Sequence, residues 1–252
     1  MKAVILCGGL GTRFSEETKF KPKPMIKIGK FPILFHIMKI YEKHGINEFI
    51  LALGYKGNVV RNFFNKENLI KLNNSYYKYI GKKKEPLKWN IQFCFSGLKT
   101  MTGGRLLRLK KYLKKEENFL LTYGDGLANV DINKLIKFHI KQKKIGTVTA
   151  VIPSARFGAI KLNGYNVSKF SEKPQSGEGW INGGFFIFNK KIFKYLSNDR
   201  TVLEERPLEL LAKKKELIAF KHKKYWQCMD TRREHDLLVN QWKSHKILWL
   251  KK

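Results

Sequence analysis

Residues 3–13 read Ala-Val-Ile-Leu-Cys-Gly-Gly-Leu-Gly-Thr-Arg, a short apolar run that passes directly into a glycine-rich turn. The run predicts a buried strand over Ala3–Leu6 that ends at Gly8 and Gly9. Three glycines, Gly8, Gly9 and Gly11, let a backbone approach phosphate groups closely and direct its N–H groups at their oxygens. The spacing is neither that of a Walker A loop nor that of the GxGxxG dinucleotide fingerprint. A tight strand-to-helix turn would explain the glycines alone, but Thr12 and Arg13 favour phosphate binding.

The rest of the first half alternates apolar runs with helical patterns, as parallel βαβ units do. Asp131 is expected to cap the helix that follows it, and Gly45 to end the first long helix. The predicted strands are 48–53, 90–95, 118–123 and 146–152, and the predicted helices are 33–44, 58–64, 102–113 and 132–142.

Beyond residue 153 the pattern is that of a more mixed sheet. Strands are expected at 157–162, 167–170, 181–188 and 217–221, and helices near 208–214 and 233–243. Together these segments predict an α/β fold with one twisted, mostly parallel, Rossmann-like sheet, helices on both faces and a mixed C-terminal elaboration. We expect a single domain over 1–252, with 1–152 mainly binding a nucleotide and 153–252 mainly binding a sugar phosphate. Ligands of such sheets bind beyond the carboxyl ends of the strands.

The composition excludes several classes of protein. With 43% hydrophobic residues the chain can bury a sizeable core, and no apolar stretch reaches the roughly 18 residues of a membrane helix. The apolar start is shorter than a signal peptide, and three isolated cysteines form no CxxC pair, so we expect a cytoplasmic protein. The formal charge is +31, but only nine of the 51 basic residues are arginine. A lysine excess spread along the chain favours a charged surface over a nucleic-acid groove, because arginine is the preferred reader of bases.

Three further residues suit chemistry on phosphates. Prolines flank Lys23 in the segment Phe20-Lys-Pro-Lys-Pro-Met25 and hold the backbone extended, which fixes where that lysine points. Asp125 stands between two glycines after a predicted strand, and Asp230 lies in a Met-Asp-Thr segment. Two carboxylates that meet would suit Mg²⁺, although Asp-Gly is also a common turn.

Together Gly8–Arg13 and Lys21–Met25 resemble the signature of the nucleotide-sugar pyrophosphorylases. The resemblance continues through further segments: Met101–Arg105, Tyr123–Gly126, Arg156–Gly158, Glu172–Pro174, Ile181–Phe185, Glu205–Leu208 and Trp226–Thr231. Residues 99–105, Lys-Thr-Met-Thr-Gly-Gly-Arg, are similar to the cytidylyl-transferring branch rather than to the thymidylyl and uridylyl branches.

The resemblance implies the substrates CTP and glucose 1-phosphate, with Mg²⁺ held by Asp125 and Asp230. It implies catalytic roles for Arg13 and Lys23 and sugar-phosphate contacts from Glu172, Lys173 and Asn182. Nucleotide contacts are implied for Leu6, Gly8, Gly9, Gly11, Thr12, Thr102 and Arg105. It also implies a homo-oligomer and a product, CDP-glucose, that serves nucleotide-sugar and surface O-antigen polysaccharide synthesis.

The implied reaction is a direct, in-line attack by the sugar phosphate on the α-phosphorus of the nucleotide, without a covalent intermediate. No G-x-S-x-G or HExxH motif points to covalent or zinc chemistry, and Cys7 is interpreted as a small apolar strand residue. The alternatives are another nucleotide or sugar, a nucleic-acid- or membrane-binding protein that uses the basic surface, and a lapsed homologue kept as a binding module. The stretch 66–89 is shorter and richer in lysine than the family pattern, which leaves the subunit number open. We expect no specific nucleic-acid partner and no membrane insertion.

Overall fold

A computed structural model of the chain describes residues 1–9, 11, 15–65, 69–72, 76–80, 87–153, 159–171 and 179–251. Its centre is a nine-stranded sheet. Its strands are β1 Ala3–Cys7, β4 Glu48–Leu53, β5 Leu69–Lys71, β6 Tyr76–Tyr79, β7 Trp89–Phe95, β8 Asn118–Tyr123, β10 Gly146–Val151, β13 Ile181–Asn189 and β14 Leu217–His222. Their order across the sheet is β14-β10-β13-β8-β1-β4-β7-β6-β5. Three two-stranded sheets accompany it: β2 Lys27–Ile28 with β3 Phe31–Pro32, β9 Gly126–Ala128 with β15 Trp226–Cys228, and β11 Ala159–Asn163 with β12 Asn166–Ser171.

Strand directions in the central sheet are mixed in a regular way. β1 lies between β4 and β8 and is parallel to both, and β4 is parallel to β7. β13 is antiparallel to its neighbours β8 and β10, and β6 is antiparallel to β5 and β7. β10 is parallel to β14. The described strands of the central sheet other than β6 and β13 therefore point the same way, which confirms the predicted mostly parallel sheet.

Helices cover both faces of this sheet. Alternate residues of β1 enter two different cores, with Ile5 in one and Val4 in the other, because side chains alternate along a strand. The first core also holds side chains of α2 (Ile33–Glu42), α3 (Gly57–Asn65), α5 (Ile132–Gln142) and α7 (Arg232–Lys243). The second holds side chains of α4 (Thr102–Arg108) and α6 (Arg206–Lys213), and a short helix α1 covers Ser15–Thr18.

Local sequence sets several helix ends as expected. The Asp131 carboxylate accepts a hydrogen bond from the Lys134 N–H at 2.9 Å and caps α5. Gly45 follows α2 with a positive φ of 81°, a conformation that costs glycine little. Among the helices that the structure describes, none has the length and apolar character needed to cross a bilayer.

The structure departs from the predicted elements in three places. The helix expected over 102–113 ends at Arg108 and continues as a 3₁₀ turn at Lys110–Tyr112, which keeps Leu113 in the core. Within 66–89, the strands β5 and β6 extend the sheet and were not predicted. The short ribbons β2–β3 and β9–β15 were not predicted either, because they carry too few residues for a recognisable hydrophobic period. The first two residues of the strand expected over 157–162 lie outside the described residues.

Candidate active site

The glycine loop and the predicted metal-binding carboxylate Asp125 follow two neighbouring strands. β1 and β8 are parallel, with Leu6 opposite Tyr123, so both strands end at the same edge of the sheet. Gly8 and Gly9 continue from β1, and Gly124-Asp125 continues from β8. An added Cβ at Gly124 would lie 2.7 Å from Pro24 Cγ and 3.0 Å from the Leu6 carbonyl oxygen. Only glycine therefore lets this turn pack between β1 and the proline-rich segment.

The β9–β15 ribbon brings the distant Asp230 to this edge. Cys228 pairs with Gly126 across the ribbon, and the Met229 N–H donates to the Asp125 carbonyl at 2.9 Å. Immediately after, the Glu234 carboxylate accepts from the Asp230 N–H at 2.7 Å. It also accepts from the Thr231 N–H at 2.9 Å, which completes a capping box at the start of α7. The helix start thus fixes the backbone that carries Asp230.

Lys23 lies between the two carboxylates. Its ammonium donates to Asp125 Oδ2 at 2.6 Å and also contacts Asp230 Oδ1, and its side chain is only 12% exposed. Burial acts to lower the pKa of this ammonium, but the two carboxylates outweigh it and the pKa is raised above its ordinary value. The Lys23 side chain therefore stays protonated between two negatively charged groups. Gly11, the far end of the glycine loop, lies against Lys23, since an added Cβ there would be 3.3 Å from Lys23 Cβ.

Arg105 holds the other side of the glycine loop. This side chain is 4% exposed, and its guanidinium donates to the carbonyl oxygens of Gly8 at 2.9 Å and Gly97 at 2.7 Å. It also donates to Ser96 Oγ at 2.8 Å and to the Leu98 carbonyl oxygen at 3.3 Å. One side chain thus joins the segments that follow two strands of the sheet, β1 and β7. The sequence predicts that Arg105 contacts the nucleotide, and the described hydrogen bonds show its guanidinium on the backbone carbonyls of the loop.

Thr102 and Asn182 meet through side chains that the sequence analysis did not single out. Thr102 Oγ1 donates to Glu204 at 2.6 Å, and the Tyr123 hydroxyl donates to the same carboxylate. Asn182 Nδ2 in turn donates to the Tyr123 oxygen at 3.2 Å. Glu204 was missed because it lies in an irregular segment before α6 and belongs to no motif. The nearest available signal was the Glu205-Arg-Pro-Leu stretch immediately after it.

The structure therefore brings together part of the predicted site. Lys23, Asp125 and Asp230 form one ionic cluster, and Gly11 lies against Lys23. Gly8 and Gly9 follow β1, the buried strand that contains Leu6. The predicted roles of Thr12, Arg13, Glu172 and Lys173 concern positions outside the described residues. Cys7 is buried, and burial raises the pKa of its thiol, which confirms an apolar strand residue rather than a reactive one.

The donor set fits a hard divalent cation bound together with a substrate. Asp125 and Asp230 direct carboxylate oxygens at one point, where the Lys23 ammonium already shows that positive charge is stabilised. Across the part of the chain that the structure describes, no three His, Cys, Asp or Glu side chains form a closed metal cage. Mg²⁺ in phosphate-handling sites commonly takes one or two carboxylates and completes its shell with water and substrate oxygens.

Comparison with known proteins agrees with this geometry. The model of the nucleotidyl transferase family matches residues 2–238. The chain belongs to the nucleotidyl transferase family. The glucose-1-phosphate cytidylyltransferase of Salmonella typhimurium is 46% identical over 99% of this chain and 98% of its own length. The probable glucose-1-phosphate cytidylyltransferase of Bacillus subtilis is 43% identical over 99% of each chain.

Solved structures of other proteins share the fold. HddC from Yersinia pseudotuberculosis superimposes with a TM-score of 0.71 at 26% identity, over 96% of this chain and 99% of that one. A UDP-glucose pyrophosphorylase complexed with UDP-glucose gives a TM-score of 0.72 at 17% identity, over 97% and 98% of the two chains. This second likeness concerns the fold alone.

Proposed function

We propose that this nucleotidyl transferase moves a cytidylyl group from CTP to glucose 1-phosphate and forms CDP-glucose and pyrophosphate. The observation that carries the proposal is the Lys23–Asp125–Asp230 cluster beside a glycine loop at the carboxyl edge of the sheet. Full-length similarity to two proteins named for that reaction supports this choice of nucleotide and sugar.

The chain's own residues then act by position and charge. A phosphate oxygen of the sugar phosphate forms a bond to the α-phosphorus, while the bond from that phosphorus to the leaving pyrophosphate breaks. Because the nucleophile is already anionic, the protein needs neither a covalent intermediate nor a strong base. Backbone N–H groups of the glycine loop and the charges of Arg13 and Lys23 would stabilise the triphosphate in the transition state.

The sugar side is assigned to the second half of the chain. Lys173 would neutralise the sugar phosphate, and Glu172 would accept hydrogen bonds from sugar hydroxyls. Asn182 would contact the same substrate from the start of β13, and Thr102 would contact the nucleotide from the start of α4. Arg105 would act through the Gly8 carbonyl that it holds rather than by touching the nucleotide.

The metal site is part of the proposal. Asp125 and Asp230 would hold Mg²⁺, and a magnesium ion bound there supplies charge neutralisation to the phosphate groups. In Asp125→Asn the site keeps its shape but loses one charge. We expect calorimetry to show weaker Mg²⁺ binding to the nucleotide-free protein, together with lower activity at limiting Mg²⁺. Unchanged binding and full activity would remove Asp125 from the metal site.

The deciding experiment is pyrophosphate release with Mg²⁺ and glucose 1-phosphate, with CTP, UTP, dTTP, ATP and GTP offered separately. Release with CTP alone is the expected result. Release with another nucleotide would keep the reaction class and change the base. GTP is included because a heptose 1-phosphate guanylyltransferase of Aneurinibacillus thermoaerophilus is 36% identical over 77% of this chain. No release with any nucleotide from folded protein would favour a binding module that lacks catalysis.

Several expectations from the sequence stay predictions. These are a homo-oligomer, a cytoplasmic location, the division of the domain at residue 152 and the absence of a nucleic-acid partner. The basic-surface alternative is checked by titrating the protein with duplex DNA at rising salt. Tight, strongly salt-dependent binding would favour that alternative, since such binding releases counterions.

A further inference from the structure

Glu204 uses both oxygens of its carboxylate on hydroxyl groups from two different elements. Oε2 accepts from Thr102 Oγ1 at 2.6 Å, and Oε1 accepts from the Tyr123 hydroxyl. Thr102 is the first residue of α4 and Tyr123 is the last residue of β8. The carboxylate therefore bridges a helix start and a strand end that are 21 positions apart in the sequence.

Each hydroxyl also accepts a hydrogen bond while it donates to Glu204. Thr102 Oγ1 accepts from the Leu203 N–H at 2.9 Å, and the Tyr123 oxygen accepts from Asn182 Nδ2 at 3.2 Å. Asn182 Oδ1 then accepts from the Gly184 N–H at 2.9 Å. A hydroxyl carries a single proton, and both of these protons are donated to Glu204. The side chain between the two hydroxyls therefore accepts twice, as a carboxylate does with its two oxygens.

Tyr123 is held at its hydroxyl by Glu204 and Asn182. Its ring is also fixed from behind, since an added Cβ at Gly184 would lie 2.7 Å from Tyr123 Cδ2. Gly184 has a positive φ of 80°, which places its backbone against the ring without strain. The hydroxyl therefore has one orientation, set by its two partners.

This chain of contacts joins the two sides of the proposed active site. Thr102 lies on the side assigned to the nucleotide, Asn182 lies on the side assigned to the sugar phosphate, and Tyr123 is two residues from Asp125. We propose that Glu204 is a positioning residue that couples the two substrate subsites, through Thr102 on one side and through Tyr123 and Asn182 on the other. The inference rests on the proposed function for the identity of the two subsites.

The test replaces Glu204 by glutamine, which keeps the size of the side chain and removes its second acceptor. In E204Q one of the two hydroxyls faces an amide N–H₂ group, which donates rather than accepts. That hydroxyl loses its hydrogen bond, and the chain of contacts is interrupted there. The matched control is E205Q, which removes the same charge from an exposed neighbouring position. We expect E204Q to lower kcat/KM for both substrates about tenfold, in line with the loss of a buried partner. E205Q should stay within about twofold of the wild type, as surface changes usually do.

A second readout separates coupling from a general structural role. Thr102→Val and Asn182→Ala are made singly and together, with Glu204 present and in E204Q. Residues in one hydrogen-bond network show non-additive effects, whereas independent sites add. We expect the two losses in kcat/KM to be non-additive with Glu204 present and additive in E204Q. Additive losses in both backgrounds would overturn the proposal, as would wild-type activity of E204Q.

A third readout does not depend on any activity. Hydrogen exchange of the Leu203 and Gly184 amides reports directly on the two ends of the contact chain, because each amide donates to one end. E204Q should accelerate exchange at both amides and E205Q at neither. Unchanged exchange at Gly184 in E204Q would show that the contacts are not continuous. If the wild type releases no pyrophosphate while this exchange pattern is found, the proposed function fails and the network stands.

Discussion

Arg105 is a buried cation and Lys23 a partly buried one at the same edge of the sheet, yet their partners are of different kinds. Backbone carbonyls and one serine hydroxyl surround the Arg105 guanidinium, whereas two ionised carboxylates surround the Lys23 ammonium. Carbonyls that belong to strand ends cannot leave, because they are part of the fold. Carboxylates on turns are able to exchange one cation for another. We therefore expect Arg105 to hold the loop in place and Lys23 to take part in the proposed chemistry beside it.

The largest expected effect is on activity and comes from removing Lys23, the cation bound by two carboxylates. Lys23→Met should lower kcat by about 10²–10³-fold, the usual cost of losing one preorganised contact to a transition state. The variant should stay folded, because Pro24 and Met25 still anchor the segment in the interior. Pyrophosphate release and thermal unfolding are measured on the same samples, with the exposed Lys27→Met as control. Near-normal activity of Lys23→Met would place the chemistry elsewhere.

Removing Arg105, the cation bound by backbone carbonyls, should mainly lower the free energy of unfolding. Arg105→Met leaves the Gly8 and Gly97 carbonyls without their donor and should cost about 2–4 kcal/mol in the free energy of unfolding. Arg108→Met removes an exposed pair with Asp199 and should cost about 0–1 kcal/mol. Urea unfolding followed by circular dichroism compares the two. Equal stability of the two variants would contradict the structural role of Arg105.

A glycine that packs against Arg105 and one that does not give a further test of its structural role. An added Cβ at Gly54 would lie 2.5 Å from the guanidinium and 2.6 Å from the Gly8 carbonyl oxygen, whereas one at Gly9 meets nothing within 4 Å. Gly54→Ala should therefore destabilise the protein by about 1–3 kcal/mol, the usual cost of overpacking. Gly9→Ala should leave the unfolding free energy close to that of the wild type. A stable Gly54→Ala variant would mean that Arg105 is free to move away.

His139 is a buried base whose hydrogen-bond partners among the described residues are uncharged. Burial lowers the pKa of His139 to about 4, where its ring nitrogens meet Thr147 and Asn118. An unfolded chain binds a proton on this histidine below about pH 6.5 and the folded one only below about pH 4. The free energy of unfolding should therefore fall as pH falls through this window, and less steeply in His139→Gln. Urea unfolding across the window measures the slope, and equal slopes would show that His139 does not contribute.

Sequence reasoning predicted what depends on local pattern. β4 and β8 begin and end where the apolar runs do, and α5 begins at its aspartate cap. The glycine loop, Lys23 and the two aspartates were found from motif spacing and from the resemblance. What the sequence left open depends on long-range packing. The burial of Arg105 behind the loop requires glycines after two separate strands, and no single segment contains that information.

The Glu204 network shows the same limit. Thr102, Tyr123, Asn182 and Glu204 come from four segments, and only the three-dimensional fold places them in hydrogen-bond contact. Tyr123 was visible only as the residue before a Gly-Asp-Gly turn. A side chain that accepts hydrogen bonds from two hydroxyl groups leaves no recognisable motif in the sequence, because its partners do not lie at fixed distances from it along the chain.

The ribbon that β9 and β15 form has a consequence for the synthesis of the protein on the ribosome. Lys23 and Asp125 emerge early, but their third partner is at position 230 and is held by a ribbon whose second strand is made at 226–228. A nascent chain can therefore assemble β1, β4, β7 and β8 and still lack the complete charge cluster. The last tenth of the chain determines when the cluster is complete, so a chain released early would keep its glycine loop without a finished site.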